Sequence, residues 1–257
     1  MVTTDVASAH VVTAILVGLA VGSFVNVVVA RLPERRSLLH PGSTCPGCGT
    51  AIAWHDNIPI LSFAVLRGRC RACGMAISWR YPVVEAATAT LWGLAWLEWG
   101  PTLDFAVAVL FLTALVAITA IDIGHQIIPD LITLPGIVAG FGANVATGRV
   151  HWLDSLLGIG VGGGIFLAII LASGGGMGGG DMKLGAMFGA FLGWKVALVA
   201  LFVAVVLGGG FALVLLGTGR VRRKDPIPFG PFLAAGGAVG LFWGDKVMRW
   251  YLHRFAE

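Results

Sequence analysis

Residues 103–122 read LDFAVAVLFLTALVAITAID. Between Asp104 and Asp122 this run holds only apolar residues and two threonines, Thr113 and Thr119. A helix that spans a bilayer needs about 20 mainly apolar residues, and the stretch supplies them. Further apolar segments fall near residues 10–30, 82–99, 131–147, 153–172, 182–193, 196–217 and 229–248. The composition agrees. Hydrophobic residues make up 57% of the 257 and charged residues only 12%, with a mean hydropathy of +0.89. Soluble domains carry roughly 25% charged residues, so this chain has too few charges to solvate a surface of its size. Its 38 glycines point the same way, because glycine is frequent in membrane helices and lets backbones approach closely. The predicted fold is an all-α integral membrane protein, a polytopic bundle of about eight transmembrane helices with a small cytosolic zinc-binding loop domain. The net charge of +4 then reflects orientation in the bilayer and not nucleic-acid binding.

Eleven of the 17 basic residues lie in two short stretches, residues 31–80 and 220–224. The first apolar segment has Asp5 and His10 ahead of it and Arg31, Arg35 and Arg36 behind it. That is the reverse of a cleavable secretory signal. The positive-inside rule places the amino terminus outside and residues 31–81 in the cytosol. With eight crossings the seventh segment ends at the second basic cluster, again on the cytosolic side. Seven crossings is the alternative, because the short sixth segment runs into the seventh through Gly193-Trp194-Lys195. A long hairpin or a half-spanning segment would fit there. Lys246, Arg249 and Arg254 lie at the outer end of the last segment and run against the rule. The expected domains are a first transmembrane helix (1–30), a cytosolic four-cysteine domain (31–81) and a polytopic membrane domain (82–257).

The only long polar region contains Cys45-Pro-Gly-Cys48 and Cys70-Arg-Ala-Cys73. Two CxxC pairs at this spacing are a zinc-ribbon-like signature, each pair presenting two thiolates from a tight turn. Gly47, Gly49 and Gly74 relieve the backbone where such knuckles bend. Disulfides or a redox dithiol are the competing readings, and both conflict with a reducing cytosol. Four thiolates close the zinc tetrahedron, so the metal would be structural.

A carboxylate at bilayer depth costs roughly 3 kcal/mol on insertion scales and is usually functional. Asp122 closes the third apolar segment, and Asp181 follows a run of six glycines and one methionine, residues 174–180. The crossing count brings both to the cytosolic edge. Two acids at one depth can activate water, one ionised to take its proton and one protonated to polarise a carbonyl. Asp122 lies at a helix C-terminus and Asp181 near an N-terminus, so the dipoles favour Asp181 as the ionised partner. The plain alternative is that both cap helices. Asp130, after Pro129, reads as a first-turn acid or a substrate contact, and Glu85 as a first-turn acid or a contact to a substrate's amino terminus.

Several stretches carry a more specific signal. Gly178-Gly179-Gly180-Asp181 matches the GxGD motif of intramembrane aspartyl proteases. Gly22-Ser23-Phe24-Val25-Asn26, Arg31-Leu32-Pro33, His55-Asp56-Asn57-Ile58-Pro59, Arg80-Tyr81-Pro82, Asp181-Met182-Lys183-Leu184 and Pro228-Phe229-Gly230-Pro231 follow in order. Together they resemble the type IV prepilin peptidase family over nearly the whole chain. The resemblance implies a bacterial inner-membrane endopeptidase with Asp122 and Asp181 as its catalytic pair. Gly178, Gly180, Asp130, Glu85 and Lys183 would support or contact the substrate, and His125 and Asn57 would serve orientation only. It implies cleavage of a short basic leader after glycine in type IV prepilins or type II secretion pseudopilins. N-methylation by S-adenosylmethionine would follow, since the zinc-bearing loop marks the longer, bifunctional members; no residue is assigned to the methyl donor. Pilus or secretion assembly components are further expected partners. The rival from another class is a cation or proton transporter using the paired aspartates, which would need polar groups tracing a path to both faces.

Overall fold

The computed structural model describes residues 2–174, 177–220 and 227–255, with side chains from residue 9 onward. Of the second basic cluster only Arg220 lies among them, and Gly175 and Gly176 of the glycine run fall outside. The described residues form eight α-helices and no named strand. They are α1 (Val2–Arg31), the five-residue α2 (Leu61–Val65), α3 (Arg80–Trp99), α4 (Leu103–His125), α5 (Asp130–Thr147), α6 (Trp152–Ala172), α7 (Gly179–Gly217) and α8 (Gly230–Phe255). Residues 9–31, α4, α5, α6 and α7 are each long and apolar enough to cross a membrane. The chain is a membrane protein. α3 carries Glu85 and Glu98, and α8 carries Asp245 and the late basic residues; neither reaches that apolarity. Two compact units divide the chain within α4, Met1–Ala120 and Ile121–Glu257.

In the first unit α1 and α3 cross closely. A Cβ on Gly18 would lie 2.9 Å from the Ala89 Cα, and one on Gly22 would lie 2.8 Å from the Glu85 Cα. Asn26, almost fully buried, donates from Nδ2 to the Tyr81 carbonyl at 3.1 Å and fixes the register of the crossing. Trp92 donates to the Thr113 hydroxyl at 3.0 Å and ties α3 to α4.

In the second unit α7 is two helices joined at Gly193, whose φ of 75° and ψ of 165° are not helical. The direction of the chain reverses there. The first arm packs on α6 through Gly185 against Gly162 and Gly189 against Gly158, while the second runs antiparallel to α8, with Gly208 against Phe229 and Gly244 against Val196. The sixth and seventh apolar segments are thus the arms of one helical hairpin. Its first arm, residues 179–192, rises about 21 Å at 1.5 Å per residue, short of a hydrocarbon core about 30 Å thick. The sixth segment is accordingly a partial span. Breaking the helix orphans its last carbonyls, and buried side chains meet them. Asn144 Nδ2 donates to the Ala190 carbonyl at 2.7 Å, and the Ser155 hydroxyl donates to the same oxygen at 2.7 Å.

The α6–α7 crossing leaves no room for a side chain at its centre. A Cβ on Gly189 would run into the Gly158 carbonyl group, whereas one on Gly160 meets nothing within 4 Å. Gly189→Ala is therefore expected to lower the thermal midpoint in detergent, corresponding to about 1–3 kcal/mol of overpacking. Gly160→Ala is expected to leave the midpoint unchanged or raise it, because alanine is the better helix former.

Candidate active site

The polar loop between α1 and α3 folds as two matching knuckles. The Cys45 amide donates to the Thr50 carbonyl at 2.9 Å and the Gly49 amide returns to Cys45 at 2.8 Å. The second knuckle repeats the pattern, with Cys70 to Met75 at 2.8 Å and Gly74 to Cys70 at 2.9 Å. Gly49 and Gly74 hold φ values of 71° and 73°, in the left-handed region where glycine is favoured. All four sulfurs lie within 4.8 Å of one another. The Cys45 and Cys73 sulfurs are 3.8 Å apart, too far for a disulfide and close to the edge of a tetrahedron with Zn–S bonds of about 2.3 Å. The hydrogen bond between Cys48 Sγ and the Thr50 hydroxyl, 3.3 Å, helps pull the Cys48 thiol down to about 6, toward the thiolate that a metal requires. The donor set fits zinc.

Between the knuckles, Arg71 grips Asp56 in a bidentate pair, with Nε to Oδ2 at 2.8 Å and a second guanidinium nitrogen to Oδ1 at 2.6 Å. The guanidinium holds the Asp56 carboxyl below the usual carboxylate range. Glu85 is buried in α3 and accepts the Ile60 amide at 2.8 Å. Ile60 stands at φ 58°, a strained conformation for a β-branched residue. Glu85 thus pins the loop that carries Asp56-Asn57-Ile58-Pro59. His125 and Asn57 are exposed.

The second unit holds both candidate catalytic acids. Asp122 sits in the last turn of α4, only 5% exposed. Gln126, at φ 54°, closes that turn with its amide on the Asp122 carbonyl at 2.9 Å. The chain then runs extended to Pro129 and starts α5 at Asp130. Asp181 lies in the first turn of α7, within electrostatic reach of Asp122. The glycines before it explain how it gets there. A Cβ on Gly180 would stand 2.8 Å from the Ile128 Cβ, and one on Gly178 would reach 3.5 Å from Asp181 Oδ2. Small residues let the start of α7 press against the α4–α5 connection, with the half-buried Asp181 carboxylate beside it. Lys183 Nζ contacts both oxygens of Asp130, at 2.7 and 2.6 Å. Asp130 is thereby committed to an ion pair that joins α5 to α7.

One contact was not read from the sequence. The Gly230 amide, first in α8, donates to Asp122 Oδ2 at 2.8 Å. A Cβ on Gly230 would lie 2.7 Å from that oxygen and 2.9 Å from the Asp122 Cγ. The only signal was the stretch Pro228-Phe229-Gly230-Pro231, a glycine before a helix-starting proline. Gly230→Ala is expected to cut peptide cleavage by about 10²-fold, by displacing a charged reacting group, while the thermal midpoint changes little. Gly142→Ala, where a Cβ meets nothing within 4 Å, is the matched control and is expected to retain full activity.

The prepilin leader peptidase/N-methyltransferase of Aeromonas salmonicida (strain A449) is 38% identical to this chain over 267 residues, covering 92% of each. The Type IV leader peptidase family matches residues 109–213, and the Bacterial Peptidase A24 N-terminal domain matches residues 16–99. The chain belongs to the type IV leader peptidase family. Other members similar to it are the prepilin leader peptidase/N-methyltransferases of Pseudomonas aeruginosa, 37% identical over 95% of this chain and 94% of that one, and Bacillus subtilis, 35% identical over 91% and 95%. No solved structure matches it. The two matched regions divide the candidate residues. The N-terminal match contains the four cysteines and Glu85, and the peptidase match contains Asp122, Asp130, Asp181 and Lys183.

Proposed function

We propose that this protein removes the leader of type IV prepilins or type II secretion pseudopilins, with Asp122 and Asp181 as its catalytic pair, and then methylates the new amino terminus. The observation that carries the peptidase assignment is the pairing itself. Two carboxylates 59 positions apart in sequence come within electrostatic reach of each other at one end of the helices, and one of them is held by a backbone amide.

One carboxylate takes a proton from water as the water oxygen attacks the carbonyl carbon of the leader's last glycine. The other, protonated, donates to the carbonyl oxygen. Collapse of the tetrahedral intermediate breaks the C–N bond, the proton gained by the first acid going to the leaving amine and one hydroxyl proton returning to the second acid. The dipole of α4 disfavours charge on Asp122, but the first N–H of α8 favours it. These effects oppose each other, so the sequence-level preference for Asp181 as the lone ionised partner weakens. The pair shares one proton and titrates as a unit. Paired to Lys183, Asp130 positions α5 and α7 and stands outside the dyad. Glu85 holds the loop at Ile60 in place. The confinement of the two acids to one end of the helices argues against a transport path.

Zinc would be held by Cys45, Cys48, Cys70 and Cys73 and would stabilise the loop domain. S-adenosylmethionine would supply the methyl group. The described residues contain neither a strand nor a glycine-rich strand-to-helix turn of the dinucleotide-binding kind, so no residue is assigned to it. Family membership supports a bacterial inner-membrane placement, and the arginines after α1 support an orientation with the four-cysteine domain and both aspartates cytosolic.

The test is cleavage in bilayers of a prepilin-like peptide with a basic leader and a Gly-Phe junction, followed by mass spectrometry. Loss of the leader, then gain of one methyl group with S-adenosylmethionine, is the expected result. An uncut peptide would overturn the peptidase reading; a cut but unmethylated one would remove the methyltransferase.

A further inference from the structure

At the far end of the second unit from Asp122 and Asp181, a cleft of about 260 Å³ opens beside the Gly193 bend. It is walled by the α5–α6 connection, the first turn of α6, the bend in α7 and the later half of α8. Its polar lining consists of Arg149, His151, Asp154, Trp194, Lys195 and Asp245. Two cations and two carboxylates therefore face one small space. Trp194 donates from its indole nitrogen to Asp154 Oδ1 at 3.0 Å, and the Lys195 ammonium stands 5.5 Å from the Trp194 ring centre. Lys195 and Asp245 are exposed and make no ion pair with each other or with any other described residue.

Depth decides what the cleft can meet. Eighteen residues of α5 and 21 of α6 rise roughly 27 and 32 Å at 1.5 Å per residue, the thickness of a hydrocarbon core. The cleft thus lies at the opposite end of α5 and α6 from the aspartates, toward the other bilayer boundary. Trp152, half exposed beside it, is a side chain typical of that boundary. An anionic head group could approach Arg149 and Lys195 but would face Asp154 and Asp245 with nothing positive.

The geometry points to a binding site for a zwitterionic phosphate–ammonium head group, that of a phosphatidylethanolamine, seated at the Gly193 bend. Its phosphate lies toward Arg149 and Lys195 and its ammonium toward Asp245 and Asp154. The bend it occupies ends the half-helix that carries Asp181, 12 residues and about 18 Å away. A Cβ on Gly193 would press on Val150 at 2.8 Å, so the turn and the bend already touch. A head group bridging them to α8 would hold the half-helix at one depth.

The full-length protein is purified into nanodiscs of phosphatidylglycerol with or without phosphatidylethanolamine, alongside Lys195→Ala and Asp245→Asn. Retained lipid is measured by native mass spectrometry, and the thermal midpoint in each disc. Wild type is expected to retain phosphatidylethanolamine and gain thermal stability from it. Both variants should bind at least about tenfold more weakly and lose that gain, with unchanged midpoints in phosphatidylglycerol alone. Soluble glycerophosphoethanolamine should compete. Competition by inorganic phosphate alone would identify a free-anion site and overturn the proposal. Equal retention by wild type and both variants, or preferred retention of phosphatidylglycerol, would overturn it too. These readouts are independent of cleavage, so they stand or fall apart from the peptidase assignment.

Discussion

Asp122→Asn and Asp181→Asn are each expected to lower prepilin cleavage by about 10³-fold or more, with the double variant little worse than either single one. The reasoning is geometric. Asparagine keeps the volume and the hydrogen-bonding shape of aspartate but can neither take a proton from water nor give one to the carbonyl oxygen. Neither acid substitutes for the other, because each is held by a different element, Asp122 by the Gly230 amide and Asp181 by the first turn of α7. Since opposing helix ends meet at Asp122, the two single variants should lose similar activity. Asp130→Asn should retain most activity, because its carboxylate is occupied by Lys183 at 2.6 Å. Residual activity of Asp181→Asn near wild type, together with loss in Asp130→Asn, would transfer the role to Asp130.

Removing zinc is expected to unfold the loop domain. The segment between α1 and α3 contains one five-residue helix, one short turn and two isolated bridges. Its large apolar residues are mostly exposed, Trp54 at 82% and Trp79 at 72%. So small a core cannot offset the entropy of ordering the loop. Zinc binding, worth roughly 10–16 kcal/mol, would supply the difference. Cys45→Ser or treatment with a strong chelator should therefore abolish the single bound zinc, read by elemental analysis. Limited proteolysis should then cut within residues 34–79 while the helices of the second unit stay protected. A Cys45→Ser protein that keeps stoichiometric zinc and an uncut loop would refute this.

The apolar run of residues 103–122 was legible because a bilayer selects length and hydropathy directly. The zinc knuckles were legible because thiolate pairs need a fixed spacing and a glycine at positive φ, both local properties. Asp122 and Asp181 stood out because uncompensated charge is rare at that depth. Less was legible where the partner is far along the chain. The sixth apolar segment looked like a crossing of its own, and only its packing on α6 through Gly158 and Gly162 shows a short arm folded back at Gly193. Glu85 read as a first-turn acid or a contact to a substrate's amino terminus, and its hydrogen bond to the Ile60 amide, 25 positions away, is invisible to periodicity.

The sequence by itself determined that this chain lives in a membrane, carries a four-cysteine cluster and belongs with the leader peptidases. Those properties reside in composition and in residues close together along the chain. Only the tertiary structure decided that the amide of Gly230 meets Asp122 across 108 positions. It likewise placed four charged side chains around one cleft at the opposite end. Which backbone group reaches which carboxylate depends on helix crossings set by glycines without side chains, and such contacts follow from packing, which no local pattern encodes.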